Sequence, residues 1–495
     1  MGSNPTRERL RRSVSQNFSV RNRVESHSKL SSSFCSSSGE ISWLRTNKFK
    51  RGGKLQPGSF SRKQERLVMR IQAISTDNRD TGVQVVDDTS QVHELVIVGA
   101  GLAGLAIAGA MHKIGVKSTI LEQSPTVRST GAALTVWRNA WRVLDVLGVG
   151  EQLRPTHTLL TGVRLRNLEG EMIRSFELDE CPGGPHESRG VERKVLVEAL
   201  ASILPKGTIQ FNSRVVSIRR ESEGGPFQLT LSDGSVIRTK ILVGADGVNS
   251  VVGKWMGLAP ARYAGYLGVR GLAEYPDGHP FEYALMQYCG SGIRIGVVPI
   301  SQTKVFWFFV YNKANPGPKI TDPKVVKEEL LGQLKDRPEI LRDMLERTSL
   351  ETLSRGPIMD RWNLPGRASL VQSCVTVAGD AFHPTTPNLG QGGCCALEDS
   401  LALARTLGAL LSEGGSPDAQ RVTKALEEYA TERNQRTLAV TLKSFILGFM
   451  LMIALRPFVY FRDKFLLPKA FGPTTYLTQT LYDPGQLPVT QAVAK

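Results

Sequence analysis

The stretch that most constrains this chain runs from His93 to Ser124. It opens on an apolar run, Leu95-Val96-Ile97-Val98, and turns through Gly99-Ala100-Gly101-Leu102-Ala103-Gly104. An alanine-rich helical pattern follows, then a second short strand, Ser118-Thr119-Ile120-Leu121, closed by Glu122. Strand, glycine turn, small-residue helix and strand together predict a βαβ unit. Gly99 permits a tight turn off the first strand. Gly101 has no Cβ, so a pyrophosphate can approach the backbone, and Gly104 lets the helix pack close to the sheet. The helix N-terminus then offers free N–H groups and its positive dipole end to phosphates. Glu122 stands 18 positions after Gly104, near the roughly 20 at which an acid reaches a ribose hydroxyl. The motif alone leaves NAD, NADP and FAD open.

The formal charge of +16 invites a nucleic-acid reading, but its placement argues against one. Residues 1–74 hold 16 Lys and Arg against 4 Asp and Glu, a net of +12, so only +4 remains for the other 421 residues. The basic character belongs to the N-terminal segment, and no nucleic-acid partner is expected. That segment also carries 15 Ser and no long apolar run. Arg-rich, Ser-rich and acid-poor composition reads as an organelle transit peptide, removed near Met69 to Ser75. The Ser tract from Ser31 to Ser38 favours the chloroplast, with mitochondrion or cytoplasm as alternatives. The six cysteines form no CxxC and no paired framework, which suits a reducing compartment and predicts no metal site.

Beyond the βαβ unit lie a small-residue loop at Arg128–Leu134, a helical stretch near 139–153 and β-type alternation over 160–180. A Gly-Pro loop at 181–190 follows, then a helix over 191–200. A meander is expected near 209–219, 226–231 and 235–239, followed by a buried strand, Ile241-Leu242-Val243, that runs into Gly244-Ala245-Asp246-Gly247. Residues 262–311 read as β-rich, with strands near 281–289, 292–300 and 304–311. The last holds aromatics on both faces, as core packing or as one wall of an apolar pocket. Residues 322–350 read as helical and charged. Cys374-Val375-Thr376-Val377-Ala378-Gly379-Asp380 is another strand ending in an acid. It leads through Phe382-His383-Pro384 to Pro387-Asn388-Leu389-Gly390-Gln391-Gly392 and a long helix. Here a carboxylate at a strand end can take a ribitol hydroxyl. A helix N-terminus after a glycine turn can stabilise negative charge on a flavin edge. His383, followed by proline, reads as a structural loop residue.

These three motifs, in this order, resemble those of the FAD-dependent aromatic hydroxylases of the p-hydroxybenzoate hydroxylase type. Within that family they resemble plant salicylate hydroxylase-like and zeaxanthin epoxidase-like monooxygenases. The resemblance covers about residues 92–440. It implies that Gly99, Gly101, Gly104 and Glu122 hold the ADP half of FAD, and that Arg193 meets a phosphate or ribose. It further implies that Val215 meets the adenine through its backbone, that Asp246 serves FAD and NAD(P)H, and that Asp380 takes the ribitol. Pro387, Gly390, Gln391 and Gly392 would face the isoalloxazine. Taken alone, Asp246 would be a turn residue and Arg193 a solvated helix residue; catalytic residues remain unassigned.

The expected fold is α/β: a Rossmann-like FAD-binding domain with a parallel sheet (92–158, 191–260, 352–436), a β-rich substrate domain (159–190, 261–351) and a C-terminal helical region (437–495). The implied reaction is NAD(P)H-driven, with NADPH or NADH bound transiently. One oxygen of O2 passes through a C4a-hydroperoxyflavin to a small apolar or aromatic substrate, aromatic or isoprenoid. A geranylgeranyl-type reductase and a non-catalytic flavin-binding redox sensor are the alternatives. The His383-Pro384 to Gly392 turn favours the hydroxylase. Zeaxanthin epoxidase itself is disfavoured, because the chain ends soon after the catalytic core.

Residues 444–455 form an apolar run flanked by Lys443 and Arg456-Pro457. Twelve helical residues span about 18 Å, short of the ~30 Å hydrocarbon core. The run is therefore expected to pack on the enzyme body or to lie at a membrane surface.

Overall fold

The computed structural model describes residues 91–127, 132–366, 369–413 and 417–488. Segment 1–74, on which the transit-peptide reading falls, and the start of the Arg128 loop lie outside the described residues.

Strand β1 (Val92–Val98) leads through the glycine turn into α1 (Leu102–Lys113), and β2 (Thr119–Leu121) returns parallel to β1. Helix α1 is buried from Leu102 to Met111, which its small and apolar residues permit. Next come β3 (Ala133–Trp137), α2 (Arg138–Leu147), β4 (Gly162–Asn167), β5 (Met172–Glu177), β6 (Ser188–Glu192) and α3 (Arg193–Ser202). Four strands follow: β7 (Ile209–Gln210), β8 (Val215–Arg220), β9 (Phe227–Leu231) and β10 (Val236–Gly244). The sequence suggested two strands across 235–243, but β10 is continuous. Its first half pairs antiparallel with β9 and its second half parallel with β17 (Val375–Val377). No turn residue stands between the halves to break it.

The first sheet has the order β16 (Val371–Gln372), β17, β10, β1, β2, β7. From β17 to β7 neighbouring strands are parallel. Their C-terminal ends therefore share one edge, the place where open α/β sheets bind ligands. Gly99, Glu122, Asp246 and Asp380 stand just past four of those ends. This convergence is why motifs hundreds of residues apart in sequence meet.

The second sheet has the order β15 (Ser354–Asp360), β11 (Arg262–Glu274), β14 (Lys304–Asn312), β13 (Ile293–Pro299), β12 (Ala284–Gly290), β4, β5. It is antiparallel except where β12 meets β4. Strand β15 carries this sheet past residue 351, while β6 leaves it to pair with β3. The outer face packs Val269, Trp307 and Phe309 against Leu330 of α4 (Pro323–Gln333) and Leu341 and Met344 of α5 (Glu339–Glu346). The single helical region read at 322–350 is two helices. Pro338 supplies no N–H and disfavours helix at the residue before it, so the chain breaks there.

Helix α6 (Gly392–Leu403) packs on α1, and the 34-residue α7 (Ala419–Met452) runs across the base of the cavity turn described below. The apolar run 444–455 is the end of α7 and the bend into α8 (Arg456–Phe461). Among the described residues no single helix is long and apolar enough to cross a membrane.

Candidate functional site

A cavity of about 350 Å³ lies between the parallel-sheet edge and the inner face of the second sheet. Gly101, Arg193, Asp380, Pro387, Gly390 and Gly392 line one side. Arg270, Phe306, Phe308, Val310 and Ile358 line the other. The aromatics of β14 thus serve both readings offered by the sequence. Phe306 and Phe308 face the cavity, while Trp307, Phe309 and Tyr311 fill the outer core.

The glycines fall into two groups. Gly99 has φ +104°, and a Cβ there would sit 2.6 Å from Ala245 O. A Cβ on Gly104 would sit 1.9 Å from Gly99 O. Both are required by the protein's own packing. Around Gly101, by contrast, a Cβ would meet nothing nearer than 4.0 Å, and around Gly392 nothing nearer than 3.8 Å. Neither has a positive φ, yet both line the cavity. The protein does not need glycine at these two places, whereas a flat or phosphate-bearing ligand lying against the backbone does. This is the observation that the residues fit FAD.

Behind this wall stand residues that the sequence placed in the site but that do not line the cavity. Glu122 is buried at the end of β2, where Oε2 accepts from Ala100 N at 2.8 Å and Oε1 from Ser124 N at 2.9 Å. It locks the glycine turn to the next strand. Val215 begins β8, two residues after Ser213, whose N–H donates to Glu122 O. Asp246 Oδ2 accepts from Val251 N at 2.6 Å and so caps the short helix Val251–Trp255. Burial pushes its carboxyl above the ordinary value, against the pull of hydrogen bonds from Ser250 and Val251. Its Oδ1 is buried without a hydrogen-bond partner in the protein.

Arg193 opens α3 and Asp380 follows β17, and both reach the cavity. Arg270 joins them from mid-β11, and nothing in the sequence motifs marked it. Its side chain keeps exposed surface although protein surrounds it, because that surface faces the cavity. Burial lowers its guanidinium pKa; Asp380 works in the opposite direction and Arg193 adds to the lowering. The available signal was a lone cation inside the apolar run Leu267-Gly268-Val269-Arg270-Gly271-Leu272.

The turn from Pro387 to Gly392 passes through Gly390 at φ +62° into α6. Gln391 is buried, and its Oε1 accepts from Asn139 Nδ2 at 2.9 Å. Asn388 is fixed from two sides. Its Nδ2 donates to Ser444 O of α7 at 2.9 Å, and its Oδ1 accepts from Arg294 Nη1 at 2.7 Å. Arg294 is wholly buried, also donates to Gln287 Oε1, and lies 5.2 Å from the Phe308 ring.

Beneath the Asp380 loop is a buried charge cluster. Arg433 of α7 donates to Glu398 and to Asp399 of α6, each at 2.7 Å. Asp399 Oδ2 also accepts from Gly379 N at 2.7 Å and lies 2.8 Å from His383 Nε2. Burial alone would raise both carboxyls. Arg433 and Arg436 around Glu398, and Arg433 with the hydrogen bonds from His383 and Gly379 around Asp399, hold them below the ordinary range. His383 therefore anchors the loop, as its proline neighbour suggested, and the cluster sets where Asp380 sits. The described residues contain no group of His, Cys, Asp and Glu able to hold a metal.

A family profile described as FAD binding domain matches residues 92–444. Monooxygenase 2 of Arabidopsis thaliana is 36% identical over 410 residues, covering 80% of this chain and 98% of that protein. Aurachin C monooxygenase/isomerase of Stigmatella aurantiaca is 31% identical, covering 63% of this chain and 80% of that protein. The crystal structure of Klebsiella pneumoniae HpxO complexed with FAD and uric acid superposes with a TM-score of 0.65 at 25% identity, covering 76% of this chain and 92% of that one.

Proposed function

Since this chain belongs to the FAD binding domain family of FAD-dependent aromatic hydroxylases and monooxygenases, we propose that it oxygenates a small aromatic or isoprenoid substrate at the expense of NAD(P)H. That it is an FAD-dependent monooxygenase is its family's activity. The substrate class, the reductant and the role of each residue are our reading. The chemistry the cofactor supplies when bound is activation of O2 and transfer of one oxygen atom to an electron-rich carbon.

The chain's residues provide the rest. Gly101 admits the pyrophosphate to the backbone at the start of α1, with Gly99 and Gly104 shaping the turn. Glu122 and Val215, behind the wall, would hold the turn on the ribose and adenine side in place, and Arg193 would pair with a phosphate. Asp380 accepts from the ribitol. The N-terminus of α6, reached through Pro387, Gly390, Gln391 and Gly392, faces the flavin edge that gains negative charge. Asp246, which caps the helix Val251–Trp255 behind the wall, would serve FAD and the transient NADPH or NADH through the loop it holds. On the opposite wall, Phe306, Phe308 and Val310 exclude water from the reacting centre. Arg270 orients a substrate bearing an anionic or acceptor group.

The observation that carries this reading is the pair of cavity-lining glycines whose Cβ positions are open. Screening phenolic and isoprenoid compounds for stimulation of NADPH- or NADH-dependent oxygen uptake tests it. Oxygen consumption matched to substrate oxygenated supports it; reductant oxidation with no oxygen uptake counts against it. Two further parts of the proposal rest on other features. The Ser- and Arg-rich segment 1–74 supports plastid import, which a fluorescent fusion of the full chain would report. The apolar end of α7 supports peripheral membrane contact through 444–455.

A further inference from the structure

Helix α7 carries apolar residues on two opposite faces at its C-terminal end. The inner face, Ser444, Leu447, Gly448, Leu451 and Met452, is buried against the body. It cannot move away cheaply: Ser444 Oγ donates to Thr386 O at 2.6 Å, and a Cβ on Gly448 would sit 2.1 Å from Asn388 Nδ2. The outer face is Leu442, Phe445, Ile446 and Phe449, at i, i+3, i+4 and i+7, and all four are exposed, Phe449 by 59%. After the bend the same character continues. Leu455 is 72% exposed, Tyr460 66%, Phe461 52% and Phe465 54%. Single exposed apolar residues need no explanation, but a contiguous set of this size marks an interaction surface.

The charge around it selects the partner. Residues 442–470 hold five cations, Lys443, Arg456, Arg462, Lys464 and Lys469, and one acid, Asp463. That acid is held by Arg462 at 2.7 Å, while Lys443, Lys464 and Lys469 are exposed. Aromatics and leucines bordered by lysines match the headgroup boundary of an anionic bilayer. Pairing with a second copy would instead bring like charges together. We propose that this face, from Leu442 to Phe465, docks on an anionic lipid surface, entering one leaflet with its outer side while the inner side stays on the enzyme body. The inference rests on the membrane contact proposed above and gives it a footprint and a lipid class. It also places the cavity turn, which Ser444 and Gly448 touch, beside the bilayer.

Flotation of the FAD-loaded full chain with vesicles of phosphatidylcholine, with and without phosphatidylglycerol, tests it. The protein should float with the mixed vesicles, and added salt should weaken the association. Phe449→Asp with Phe461→Asp should reduce partitioning at least about tenfold. Lys443→Glu with Lys464→Glu should reduce it on anionic vesicles only. The flavin-to-protein ratio of each variant reports folding, and the salt response of the unaltered protein needs no variant. Protein that stays at the bottom of the gradient with both vesicles overturns the inference. So does a dimer that Phe449→Asp dissociates in the absence of lipid binding. No substrate or reductant is present, so a failure here leaves the monooxygenase reading standing, and absent turnover leaves the docking standing.

Discussion

The two walls of the cavity are built on different principles. The parallel-sheet wall is mostly backbone: glycine turns, helix N-termini and three carboxylate-bearing strand ends brought to one edge by topology. The antiparallel wall is side chains: Phe306, Phe308, Val310 and Ile358 around a single cation, Arg270. A cofactor common to many enzymes can be met by backbone geometry that hardly varies. A substrate is met by side chains that can change without altering the sheet beneath them. Gly296 shows how local that freedom is: a Cβ there would sit 2.0 Å from the Phe308 ring, so the bare strand is what lets this ring lie across it.

The contrast can be broken at four places. Gly104→Val should abolish folded protein, because the added carbon meets the Gly99 backbone oxygen, which cannot yield; soluble yield and thermal unfolding would show it, with a cost of about 4 kcal/mol or more. Asp399→Asn should cost about 3 kcal/mol by leaving Arg433 one buried partner short. Its pH signature is specific. A carboxyl held below its ordinary range contributes stability that is present above about pH 4 and is lost as pH falls through the depressed value. Acid unfolding followed by circular dichroism should therefore be less steep in the variant. Asp380→Ala should leave the unfolding midpoint nearly unchanged and weaken flavin retention by about 1.5 kcal/mol, roughly tenfold. Arg270→Met, on the other wall, should keep the flavin and raise KM for a substrate with an anionic group by about tenfold, near 1.4 kcal/mol. Loss of flavin in that variant would erase the distinction between the walls.

The same contrast explains what was legible in the sequence. Strand ends that bind through backbone leave fixed spacings, so Gly99 to Glu122, Gly244 to Asp246 and Gly379 to Gly392 could be read in advance. Their meeting followed from parallel strands alone. Glu122, Val215, Asp246 and Gln391 were singled out too, but they stand behind the wall, and only coordinates separate a lining residue from one that supports it. Arg270 left no motif because its role depends on which face of β11 turns inward. The Arg433 cluster was hidden because its charges sit on two helices, 34 and 35 residues apart in sequence, and no local spacing links them. The outward stripe on α7 was visible as apolar residues but not as uncovered ones.

The most direct test of the account is the flavin-to-protein ratio of Gly101→Val, measured beside its thermal unfolding. Nothing in the protein lies closer than 4.0 Å to the added Cβ, so the fold should survive. The ratio should fall from near one to near zero, because the side chain takes the space of the pyrophosphate. A variant that folds and remains as yellow as the unaltered protein would contradict the claim that this edge of the parallel sheet grips FAD.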